Sequence, residues 1–91
     1  MAEIEVGTVS HYFGHISVAA IELKDKLSVG DTIRFVGHTT DFQEKLGSMQ
    51  IEHQNVSEAK AGDSIGIKVK KRVRPHDKVF KIVEQGGETG L

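Results

Sequence analysis

The five histidines are the side chains of this sequence that could bind a metal ion: His11, His15, His38, His53 and His76. His11 and His15 are four residues apart, but Gly14 predicts a turn between them, so they do not share a helical face. The sequence has no cysteine, and no Asp or Glu residues cluster with the histidines to complete a set of ligands. We therefore predict that the chain binds neither a metal ion nor another cofactor.

Two further pairs have side chains suited to catalysis. Ser10 precedes His11, but neighbouring residues of a strand point to opposite faces and cannot exchange a proton in place. Glu3 and Glu5 share a face, yet nothing in the sequence predicts a cleft that would raise the pKa of either carboxyl. We predict that the chain is not an enzyme.

Basic residues are concentrated near the C-terminal end. Residues 68–81 contain seven Lys and Arg and one acid, Asp77, a net charge of +6 in a chain whose total is −1. The candidate partner-binding residues are Lys68, Lys70, Lys71, Arg72 and Arg74. Such a segment suits contact with phosphates, but lysines also keep the solvent face of a strand soluble and protect sheet edges. Tyr12 and Phe13, near a turn, suit either base stacking or a plug at the mouth of a barrel.

Length and composition indicate one globular domain. The chain has 91 residues, of which 37% are hydrophobic and 27% charged. The acidic N-terminus is unlike a signal peptide, and no apolar run approaches the roughly 20 residues of a membrane span. Together with the absence of cysteine, this predicts a cytoplasmic protein with no membrane partner.

Alternating hydrophobic residues predict strands throughout. Ile65, Ile67 and Val69 alternate with lysines, which indicates one buried and one exposed face. The same pattern gives candidate strands at 3–6, 16–20, 32–35, 49–53 and 78–83. In the strand at 16–20, Ile16, Val18 and Ala20 form the apolar set. Six strands at this spacing are typical of a small barrel or sandwich.

Glycines at two changes of alternation favour the barrel. Gly7 and Gly47 each lie where the hydrophobic phase shifts, which indicates a bulge or bend, or a loop between two shorter strands. We predict a closed six-stranded barrel over residues 1–84, with at most one helical turn near Glu58, and a flexible tail over 85–91.

Two segments of the chain repeat one local pattern. Residues 29–35 resemble residues 61–67, and in each a Gly-Asp pair precedes a strand. Glycine provides the positive φ that a tight turn needs, and aspartate accepts hydrogen bonds from the turn's backbone. Gly30-Asp31 and Gly62-Asp63 therefore predict related corners of the fold.

At these corners the chain resembles domain 2 of the translational GTPases, the β-barrel that follows the GTPase domain in elongation factor Tu and its relatives. Residues 56–67 are similar to the family pattern Val-x-x-Ala-x-Ala-Gly-Asp-x-Val-Gly-Ile, and residues 6–9, 27–33 and 49–52 match further pieces in order. A stand-alone elongation factor-like protein of this kind is expected to contact RNA or the ribosome. No phosphate-binding Gly-x-x-x-x-Gly-Lys loop is present, so we predict no nucleotide binding.

A related barrel ends some collagenase-like peptidases, and this resemblance implies an alternative function. The chain would then be a protein-interaction barrel that docks onto a separate enzyme. Co-purification of nucleic acid distinguishes this possibility from RNA binding.

Overall fold

The computed structural model describes residues 2–83, and within them every regular element is a β-strand. The predicted all-β domain is confirmed. The predicted helical turn near Glu58 is instead a short strand, because Leu27 and Ser28 pair with it. The ten strands are β1 (Ala2–Phe13), β2 (Val18–Leu23), β3 (Leu27–Ser28), β4 (Thr32–Val36), β5 (Asp41–Lys45), β6 (Gln50–Ile51), β7 (Gln54–Asn55), β8 (Glu58–Ala59), β9 (Ser64–Lys68) and β10 (Lys78–Val83).

Strand β1 organises the sheet because its two halves pair with different neighbours. The first half, Ala2 to Thr8, pairs with β10, and the second half, Gly7 to Phe13, pairs with β2. The register with β10 shifts between Glu5 and Gly7, which confirms the predicted bulge. A Cβ on Gly7 would collide with the carbonyl oxygen of Glu22, so only glycine allows β2 to approach this closely.

The described strands form an open sheet, and the predicted closed six-stranded barrel is not confirmed. Eight strands follow the order β5-β4-β10-β1-β2-β9-β6-β7, while β3 and β8 form a separate pair. Backbone hydrogen bonds outside the strand pairings also connect the loops. Gly30 N–H donates to Leu46 O (2.8 Å), and Val56 N–H donates to Met49 O (2.9 Å).

The hydrophobic core explains which predicted faces are right. Ile65, Ile67 and Val69 are buried, as their alternation with lysines predicts. The apolar set predicted for the strand at 16–20 is wrong, because Ala19 pairs with Ile67 and Ile21 pairs with Ile65. Directly opposed residues of neighbouring strands point to the same face. Ala19, Ile21 and Leu23 are therefore buried, whereas Ile16, Val18 and Ala20 lie on the outer face.

The predicted strand at 49–53 is a hairpin. Gln50 and Ile51 pair with Asn55 and Gln54. Glu52 and His53 form the turn with positive φ values of 51° and 66°, which is the backbone of a type I′ turn. No glycine marks this turn in the sequence. Gly47 lies in the loop between β5 and β6, the second of its two predicted settings.

Three corners of the chain share one geometry, and the sequence revealed only two of them. Asp31, Asp63 and Asp77 each accept a hydrogen bond through Oδ2 from the N–H of the residue three positions earlier, at 2.9, 3.0 and 2.9 Å. The residue before each aspartate has a positive φ: 100° at Gly30, 96° at Gly62 and 77° at His76. The third corner is hidden because histidine occupies the glycine position.

Two further predictions concern a membrane span and the C-terminal tail. Residues 2–83 contain no helix with the length and hydropathy of a membrane span. The tail predicted over 85–91 lies outside the described residues.

Candidate partner-docking site

The five candidate binding residues form a continuous exposed strip, which we call the basic ridge: Lys68, Lys70, Lys71, Arg72 and Arg74. It begins at the end of β9 and continues to the corner at Asp77. Val69 and Val73 alternate with the ridge residues and are buried in the core. The two valines anchor the backbone of the segment while the basic side chains face outward.

Several contacts hold the ridge in place although it lies in a loop. The N–H of Lys70 donates to Glu44 Oε1 (3.0 Å), and the Nζ of Lys71 lies 5.8 Å from the centre of the Phe42 ring. The Arg72 guanidinium carbon lies 5.9 Å from the centre of the Tyr12 ring. Both ring contacts are within the distance of a cation–π interaction. The ridge is therefore an ordered positive surface.

The ridge is the largest group of basic residues without ion pairs, and within residues 2–83 Lys45, Lys60 and Lys81 make none either. Elsewhere Lys24, Lys26, Arg34 and Lys78 all contact carboxylates within 4 Å. Among residues 2–83, no ridge side chain makes such a pair. The positive charge of this strip is not neutralised by neighbouring acids and remains available to a partner.

Asp77 fixes the end of the ridge, a role that the sequence did not reveal. Its buried carboxylate accepts the N–H of Arg74, and its backbone carbonyl accepts the N–H of Val9 (2.8 Å). A Cβ on Gly37 would collide with this carboxylate. Asp77 therefore serves the architecture of the corner, and Gly37 leaves the space that it occupies.

An apolar groove adjoins the ridge. It has a volume of about 420 Å³ and is lined by Phe13, Ile16, Val18, Ala20, Ile65 and Gly66, with a polar rim of Gln50, Glu52, His53 and Ser64. Phe13 and Ile16 are 39% and 49% exposed, which is high for large hydrophobic side chains. The sequence analysis missed the groove because it assigned Ile16, Val18 and Ala20 to the core.

Strand β9 connects the groove to the ridge. Ser64, Gly66 and Lys68 alternate with the buried Ile65 and Ile67, so all three point outward. Lys68 pairs directly with Val18 in the groove. The first basic residue of the ridge thus stands at one end of the groove.

His11 and Ser10, the pair considered for catalysis, each contact another group. The rings of His11 and Phe13 lie 4.6 Å apart, and Ser10 Oγ donates to Ala20 O (3.2 Å). Within residues 2–83, no three His, Asp or Glu side chains are close enough to hold a metal ion. The expectation that the chain has no cofactor stays a prediction.

The largest electrostatic perturbations lie outside the ridge and groove. Arg34 donates to both carboxylate oxygens of Asp41 at 2.9 Å, and these bonds hold the pKa of Asp41 below its ordinary value. The hydrogen bond from Lys24 lowers the pKa of Glu5. Both carboxylates tie neighbouring strands together and are not in the groove.

Comparison with known proteins connects the chain to peptidases. No protein-family model matches the sequence. The chain is 42% identical over 83 residues to an uncharacterized protease of Methanocaldococcus jannaschii, which covers 90% of this chain and 20% of the relative. It is 37% identical over 81 residues to a collagenase of Porphyromonas gingivalis, covering 87% and 20%. The chain thus spans about a fifth of the length of these relatives.

A solved C-terminal domain shares this fold. The C-terminal domain of a U32 peptidase of Geobacillus thermoleovorans superposes with a TM-score of 0.82 at 19% identity, covering 88% of this chain and 93% of that domain. A selenomethionine variant of that domain gives a TM-score of 0.79.

These findings correct the sequence analysis. The resemblance to translational GTPases is wrong, and with it the expected contact with RNA or the ribosome, because the homologues are named as a protease and a collagenase. The matching Gly-Asp motifs are explained by local geometry, since each forms a corner that recurs at Asp77 without the motif. The homology supports the alternative, a domain of the kind attached to peptidases.

Proposed function

We propose that this chain is a non-catalytic docking domain that associates with a peptidase domain, on the same polypeptide or on a separate one. The observation that carries the proposal is the extent of the match. Nearly all of this chain aligns with only a fifth of a protease and of a collagenase. A segment of that size corresponds to one accessory unit, so most of each relative lies outside it.

The basic ridge is proposed as the principal edge of docking. Its five side chains are exposed, two of them contact aromatic rings, and within the described residues none is paired with an acid. A surface of one charge favours a partner surface of the opposite charge and speeds their encounter. The peptidase partner is accordingly expected to present acidic residues to the ridge.

A chimera tests this function. The segment of the Porphyromonas gingivalis collagenase that matches this chain is deleted in one variant and replaced by this chain in another, and collagen hydrolysis is measured for both. We expect the deletion to lower the rate and this chain to restore most of it, because the two segments are homologous over their length. The isolated chain is expected to hydrolyse no collagen.

Charge-reversal variants of the chimera that contains this chain test the role of the ridge. Lys70→Glu with Arg72→Glu reverses two ridge charges, and Lys45→Glu with Lys60→Glu reverses two exposed charges outside the ridge that likewise make no ion pair among the described residues. The ridge variant is expected to lose most of the restored activity, while the control variant keeps it. Equal activity of the deletion variant and the unaltered collagenase would overturn the proposed function.

A further inference from the structure

The floor of the apolar groove contains a glycine that the fold of the domain does not require. Gly66 lies within β9 and does not have a positive φ. A Cβ at this position would meet only Val18 Cγ1, at 3.6 Å, which is an ordinary van der Waals distance. Glycine inside a strand costs roughly 0.5–1 kcal/mol relative to alanine. A strand glycine without a structural reason commonly marks close approach of a ligand or another backbone.

The surroundings of Gly66 define what fits there. Ala20 lies directly opposite it on β2, so the floor is flat and formed by two small residues. Phe13, Ile16 and Val18 form an apolar wall on one side, and the β6–β7 hairpin forms the other. The floor follows extended strands, and β9 pairs with β6 only at Gly66 and Gln50. An extended backbone with one apolar side chain matches this shape better than a bulky compact ligand does.

The charges at the groove differ from those of the ridge. Glu52 lies on the rim, and Glu22 accepts the hydroxyl of Ser64, another rim residue, at 3.0 Å. Among the described residues, neither carboxylate makes an ion pair. A basic residue on the occupant would therefore find a complementary charge beside the apolar floor.

We propose that this groove binds an extended segment of the peptidase partner, with an apolar side chain over Gly66 and Ala20 and a Lys or Arg facing Glu22 or Glu52. The inference rests on the proposed function and adds the chemistry of the contacted segment. The ridge and the groove then act together: the ridge attracts acidic residues of the partner, and the groove selects an apolar segment with a basic neighbour.

Site-specific crosslinking in the collagenase chimera tests the inference. A photoreactive benzoylphenylalanine replaces Ile16 at the groove, or Lys45 on β5 as an exposed control. We expect position 16 to crosslink to a collagenase peptide that contains an apolar residue and a nearby Lys or Arg. Position 45, at the far edge of the sheet, is expected to give no crosslink to that peptide.

Substitutions at Gly66 provide the matched control. Gly66→Leu fills the groove and should lower the crosslinking yield from position 16 about tenfold, as expected for loss of a contact that dominates an interface. Gly66→Ala adds only one methyl group and should lower it much less. Thermal unfolding of both variants establishes that they are folded.

The outcomes separate the two proposals. An active chimera in which position 16 crosslinks only to collagen, to a second copy of the chain or to nothing would overturn the groove assignment and leave the docking function standing. Equal crosslinking yields for Gly66→Leu and the unaltered chimera would also overturn it. Failure of the chain to restore activity contradicts the docking function itself.

Discussion

Gly37 and Asp77 illustrate a residue pair whose importance appears only in three dimensions. In the sequence, Asp77 is the single acid that opposes a run of basic residues, and Gly37 belongs to a polar turn. In the structure, the buried Asp77 carboxylate occupies the space that a side chain on Gly37 would fill. Neither spacing nor composition indicates that residues forty positions apart meet in this way.

We expect Gly37→Ala to destabilise the domain by about 1–3 kcal/mol, the usual range for a buried side chain forced into occupied space. Gly47→Ala is the matched control, because a Cβ there meets nothing within 4 Å and the backbone has no positive φ. Urea denaturation measures both. Equal unfolding midpoints would mean that Asp77 moves aside at little cost.

His76 has a positive φ, as Gly30 and Gly62 do at the two related corners. A positive φ is unfavourable for a residue with a Cβ by about 1–2 kcal/mol. We therefore expect His76→Gly to stabilise the domain, by less than this amount because glycine also increases the entropy of the unfolded chain. His38→Gly, at an exposed turn position without a positive φ, should be neutral or destabilising. A loss of stability in His76→Gly would indicate that the imidazole makes a contact of its own.

At the scale of the elements, the alternation of apolar residues predicts strand β9 correctly and strand β2 in the wrong phase. Residues 16–23 contain apolar side chains at both parities, so alternation alone does not identify the buried face. The pairing of Ala19 and Ile21 with buried residues of β9 decides it. The groove was missed for the same reason. The ridge could be predicted because a run of basic residues can be identified in the sequence without knowing which strand pairs with it.

Arg34 links three strands, and this linkage makes stability depend on pH. It donates to Asp41 on β5 and to Glu3 on β1 from its position on β4. The pKa of Asp41 is lowered in the folded state by these bonds from Arg34. The corresponding stabilisation is present above the ordinary carboxyl pKa and is lost as the pH falls through the lowered value, from about pH 4 downward.

We expect Arg34→Met to return the pKa of Asp41 towards its ordinary value and to weaken the acid dependence of stability. Titration of the side-chain carboxyl by NMR measures the pKa, and urea denaturation between pH 2 and pH 6 measures the stability. Lys24→Met provides a comparison that acts on Glu5 and leaves Asp41 unchanged. An unaltered Asp41 titration in Arg34→Met would contradict the assignment.

At the scale of the whole molecule, short motifs and similarity over most of this chain gave different answers. The Gly-Asp pairs resembled a translation factor because they form a corner that suits the entry to a strand. Turn chemistry of this kind depends on backbone geometry and does not identify a partner. Identity of 42% over 83 residues reflects the core, the loops and the surface together, and it leads to a protease.

The central claim, that this chain docks onto a peptidase, is tested most directly by calorimetry. The chain is titrated into the Porphyromonas gingivalis collagenase that lacks its matching segment. Interfaces between domains resemble transient protein interfaces, so we predict saturable one-to-one binding with a Kd of about 1–100 μM. Lys70→Glu with Arg72→Glu should weaken that binding about tenfold or more. Absence of binding by the folded chain would contradict the account. An unchanged Kd for the ridge variant, together with tight binding of the chain to RNA, would also contradict it.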